Sequence, residues 1–77
     1  MREIAIRGET IRLGQLLKLS GLADTGAHAR ELLAAGGIRV NGAPETRRGR
    51  QLHGGDVVAA AGAEMRVVRG PAAPPGA

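Results

Sequence analysis

The chain has 77 residues and a net charge of +4, with eleven Lys+Arg against seven Asp+Glu, no cysteine and no Phe, Tyr or Trp. That length makes one small domain, whose core must be aliphatic because such a fold buries only roughly 60% of its unfolded surface. The missing cysteines exclude a disulfide or thiolate metal site, and the missing rings exclude a base-stacking platform.

Residues 3–7 alternate, with Ile4 and Ile6 on one face and Glu3, Ala5 and Arg7 on the other, which predicts a short half-buried strand. Gly8-Glu9 reads as a turn. Leu13, Leu16, Leu17 and Ser20 recur at helical spacing before Gly21, predicting a first helix over residues 13–20 with Lys18 on its outer face. Thr25 stands at an N-cap position, and Ala29, Leu32, Leu33 and Gly36 form the apolar stripe of a second helix that Gly36-Gly37 ends. Arg30 projects roughly 100° from Ala29, beside that stripe.

Ile38 and Val40 point inward with Arg39 between them, and Asn41-Gly42 is a hairpin signal because both positions tolerate positive φ. Pro44 belongs at a sheet edge, since it cannot donate to the ladder. Residues 46–51 (TRRGRQ) form a basic loop. His53-Gly54-Gly55-Asp56 reads as a turn, residues 57–60 as a strand, Ala61-Gly62-Ala63 as a turn and residues 64–69 as a last strand. The expected architecture is α+β: two short packed helices, helix-turn-helix-like, against a small, mostly antiparallel sheet over residues 1–69. The Pro/Ala/Gly tail of residues 70–77 is expected to be disordered.

Ten of the eleven cations are Arg, and the single lysine is Lys18. Arginine's planar fork suits phosphate, although GC-rich codon usage also favours Arg, so the sign of the charge carries more weight than the choice of side chain. Arg47, Arg48 and Arg50 have no acid between them, which points to an external anion. His28 and His53 are isolated and read as surface polar residues. Asp56 shapes its turn, Thr25 reads first as a cap and Asn41 as a turn residue. The glycine pairs lack the strand-to-helix setting of a phosphate loop. No paired carboxylates, activated nucleophile or metal set is apparent, so neither an enzyme, a cofactor nor a metal is expected.

In order and spacing, residues 13–19, residues 25–36, Ile38-Arg39-Val40-Asn41-Gly42 and Gly55-Asp56 resemble the αL RNA-binding motif named from ribosomal small-subunit protein S-four. The resemblance covers roughly residues 11–60 and looks closest to short stand-alone members of the YbcJ type, which begin with a strand. It implies an RNA-facing surface built from Thr25, His28, Arg30, Arg39 and Asn41. The position after the cap, basic in many members, is Gly26 here. Lys18, Arg47, Arg48 and Arg50 extend the same patch on charge grounds. Structured RNA, ribosomal or transfer, is the expected partner, bound by a monomer and with the ribosome as its setting. Duplex RNA offers phosphates and 2′-hydroxyls to Arg, Asn and backbone N–H groups without stacking.

Two other functions compete. A β-grasp sulfur carrier also contains IRVNG-like hairpins, but such carriers resemble chains ending in Gly-Gly, and this one ends Pro-Pro-Gly-Ala. A ribosome-associated adaptor would use the same basic face on an acidic protein. The charged N-terminus, MREIAIRGET, does not resemble a secretory signal, and no apolar run reaches the roughly 20 residues of a membrane span, so a cytoplasmic location is expected.

Overall fold

A computed structural model describes residues 1–70. The first strand, β1 (Arg2–Ile6), buries Ile4 and Ile6 as the alternation requires. It lies parallel to the last strand, β7 (Ala63–Arg69), with Ile4 opposite Val67. Both ends of the described chain therefore meet in one ladder, which Gly70 extends by donating its N–H to the Ile6 carbonyl at 2.7 Å. The rest of the predicted Pro/Ala/Gly tail, residues 71–77, falls outside the described residues.

Helix α1 (Leu13–Leu19) places Leu13, Leu16 and Leu17 in the core and leaves Lys18 exposed. Its C-terminus closes on Gly21, at φ 86, whose N–H donates to the Lys18 carbonyl. The Arg2 guanidinium donates to the Ser20 carbonyl at 2.8 Å, a cation placed where the helix dipole is negative. Helix α2 (Gly26–Ala35) starts at Thr25, whose hydroxyl accepts from the His28 N–H at 3.0 Å. Ala29 and Leu33 are buried and Leu32 packs half-buried against them. Gly36 is not the fourth inward position of the stripe. It is the exposed C-cap at φ 86, because a residue in the left-handed region turns the chain out of the helix.

The hairpin of β3 (Arg39–Val40) and β4 (Ala43–Pro44) turns through Asn41 at φ 52 and Gly42 at φ 86. Two consecutive positive φ values give the turn whose twist matches the flanking strands. Strand β6 (Val57–Ala60) joins β7 through Ala61 and Gly62, again both at positive φ. The five-stranded sheet runs β1-β7-β6-β3-β4, antiparallel except for β1-β7, and Pro44 occupies its edge.

A second sheet was not predicted. Thr10–Arg12 forms β2 and Gln51–His53 forms β5, paired antiparallel with Ile11 opposite Leu52. His53 thus ends a strand rather than beginning the turn. Strands of three residues show no readable alternation, since each sends a single side chain inward: half-buried Ile11 and fully buried Leu52.

The helices and the inward side chains Ile4, Ile6, Val40, Val58, Met65 and Val67 form one aliphatic core. Alternation leaves Arg39 and Arg66 on the opposite, exposed side of the large sheet.

Candidate nucleic-acid interface

The short β2-β5 ladder brings the basic loop against the start of α1. The Leu13 N–H donates to the Arg50 carbonyl at 2.8 Å and the Gly14 N–H to the Arg48 carbonyl at 2.9 Å. The first amides of α1 are thereby satisfied by the loop. A Cβ at position 14 would lie 2.9 Å from Arg48 Cγ, so the glycine gives the arginine stem room to cross the helix.

Beside this crossing is a cleft of about 420 Å³ lined by Arg12, Gly14, Gln15, Lys18, Gly26, Ala29, Arg48 and Gly49. Three cations face it, and none of those lining residues is acidic. Gly26 opens the wall at the start of α2, with nothing within 4 Å of where a Cβ would stand. The backbone at this positive helix end is therefore approachable by an anion. The missing basic side chain after the cap leaves space here.

The nine residues expected at the interface divide. Lys18 and Arg48 line the cleft. Arg30 follows Gly26 by one turn on the same side of α2, is exposed, and has no ion-pair partner among the described residues. Thr25 and His28 frame the helix start but are already committed: Thr25 caps, and His28 Nδ1 accepts from the Asp24 N–H at 3.1 Å. Arg39, on the far side of the sheet, donates to the Gly42 carbonyl of its own hairpin at 3.2 Å. The Asn41 amide joins two turns, donating to Asp56 Oδ1 at 3.0 Å and accepting from the Val57 N–H at 2.9 Å. Neither Arg39 nor Asn41 lines the cleft.

The two remaining loop arginines, Arg47 and Arg50, were expected to face an external anion and already hold one within the chain. Their anion is internal, at Glu45. This carboxylate is only 8% exposed, yet it accepts from the Thr46 and Arg47 backbone N–H groups at 3.1 and 3.0 Å. Arg47 donates from Nε at 3.1 Å and Nη2 at 3.3 Å, and Arg50 from Nη1 at 2.8 Å. The acid precedes the arginines instead of separating them, and the turn folds it back among them.

The Arg47 side chain, the Arg47 backbone N–H and then Arg50 hold the Glu45 carboxyl at about 2, against the small upward push of burial. In the unfolded chain its value is 4.5, so its stabilising effect is fully present above that pH and is lost as pH falls through about 2. At Asp56 burial pushes upward, but the His53 N–H, the Asn41 amide and nearby positive charge outweigh it and hold the carboxyl below its usual range. Its contribution has the same sign. Urea unfolding at stepped pH is expected to show stability falling on acidification through this window. Glu45→Gln should flatten that fall.

Sequence reasoning missed Arg12, Gln15 and Glu45. Arg12 and Gln15 were legible as the polar positions preceding Lys18 at three-residue steps. Glu45 was legible as the one acid between Glu31 and Asp56, directly before TRRGR.

Residues 4–68 match the family model described as S4 domain. The chain belongs to the S4 domain family. It is similar to the "Probable ribosome maturation protein RlbA" of Bacillus subtilis strain 168, 46% identical over 55 residues, covering 71% of this chain and 78% of that one. It is also similar to the "Putative RNA-binding protein YbcJ" of Escherichia coli K12, 40% identical over 58 residues, covering 75% of this chain and 83% of that one. An S4 domain match of this extent displaces the β-grasp carrier reading. No helix among the described residues is long and apolar enough to cross a membrane.

Proposed function

We propose that this S4 domain protein binds structured RNA, ribosomal or transfer, in the cytoplasm without catalysing a reaction on it. The cleft between α1, α2 and the basic loop would seat the phosphate backbone. The observation that carries this reading is the convergence of Arg12, Lys18 and Arg48 beside the approachable start of α2, with no acidic lining residue. Arg30 extends the surface along α2. The names of the two relatives, "Probable ribosome maturation protein RlbA" and "Putative RNA-binding protein YbcJ", support the same reading.

A chain without Phe, Tyr or Trp has no stacking platform of large rings, so affinity is mostly electrostatic and follows the geometry of the backbone. Filter binding to a structured RNA across a salt series tests it. About five neutralised phosphates give a slope near −4 in log K against log salt, or roughly two orders of magnitude between 50 and 200 mM. Weak binding that does not respond to salt would contradict the proposal.

A further inference from the structure

We infer that Glu45 is a specificity-determining positioning residue of this interface: it holds back Arg47 and Arg50, so that Arg48 is the loop cation presented to the cleft. The inference rests on the RNA-binding reading above and concerns how that site selects its RNA.

The carboxylate is nearly enclosed and collects five N–H donors, two of them backbone. It therefore shapes the loop as well as neutralising two of its charges. The Arg47 side chain is 73% exposed, yet its Nε and Nη2 are spent on Glu45. Drawing it away to reach a phosphate would take two of the five donors from an almost buried anion, which is costly. Arg48 makes no side-chain hydrogen bond or ion pair among the described residues, and its stem crosses Gly14 into the cleft. The two carbonyl contacts to α1 fix the loop from the other side.

The result is a loop that answers to where a phosphate lies. A flexible single strand can bring phosphates to any exposed guanidinium, but here two of the three are occupied. A folded backbone that seats a phosphate in the cleft meets the third in place. With Glu45 neutralised, three guanidinium groups would follow any polyanion.

The test is salt-dependent filter binding of the full chain to an RNA hairpin and to an oligouridine strand of equal phosphate count. In the native background, Arg47→Ala should leave the hairpin slope unchanged, whereas Arg48→Ala flattens it by about 1. Glu45→Gln should steepen the slope by about 1 to 2 and shrink the preference for hairpin over strand. Adding Arg47→Ala to Glu45→Gln should then flatten it by about 1, completing the cycle. Arg47→Ala acting as strongly as Arg48→Ala in the native background overturns the inference, as does an unchanged slope in folded Glu45→Gln. Should far-UV circular dichroism show Glu45→Gln unfolded, the two native-background variants decide alone. No hairpin binding by the native chain overturns the RNA reading and this inference with it, whereas native binding with the wrong variant pattern overturns the inference alone.

Discussion

Leu33→Ala is expected to lower unfolding free energy by about 2–5 kcal/mol, measured by urea unfolding under circular dichroism. Leu33 is 1% exposed and lies where α2 meets the core, one turn after Ala29. Removing its branched end opens a void that short helices pinned at both ends cannot close. A domain of this size commonly has about 0.05–0.15 kcal/mol of stability per residue, so the loss approaches the whole. Leu32→Ala, on the half-buried flank of the same helix, should cost less. Equal losses would mean that α2 presents a different face to the sheet.

Most of the fold could be read because its signals are local and paired. Thr25 caps α2, Gly36 ends it, and Asn41-Gly42 turns the hairpin, each through a backbone conformation that its residue type favours. Alternation placed Ile4, Ile6, Ile38, Val40, Met65 and Val67 inside. What could not be read depends on distant partners. The β2-β5 pairing joins segments some forty residues apart through three-residue strands, and nothing in either segment announces the other. The parallel β1-β7 pair is of the same kind, since alternation identifies both strands but not their direction.

The candidate interface was harder to read for a related reason. Sequence proximity grouped Arg47, Arg48 and Arg50, and three-dimensional proximity divides them. One carboxylate directly upstream takes two, while a glycine more than thirty residues away makes room for the third. Arg39 and Asn41 were placed by resemblance, but a strand sends alternate residues to opposite faces, and Arg39 falls on the side away from the helices. Charge patterning pointed to the loop and the helix edge from which Arg48 and Lys18 line the cleft. It could not say which guanidinium groups were already engaged.

Lys18→Ala combined with Arg48→Ala is the binding counterpart of the core prediction. Both side chains line the cleft, one from α1 and one from the loop, and neither has an ion-pair partner among the described residues. A hydrogen bond to a charged group contributes about 1.5–3 kcal/mol, so losing both should weaken RNA binding by on the order of a hundredfold or more. The salt slope should flatten by about 2. Since both side chains reach toward solvent at the cleft, the urea midpoint should move little, which separates this double variant from Leu33→Ala. Arg66→Ala removes the same charge from the opposite face of the sheet and supplies the contrast. If RNA affinity depended only on overall positive charge, Arg66→Ala would weaken binding about as much as either cleft substitution. If the cleft is the contact, its effect is small and the loss belongs to Lys18 and Arg48.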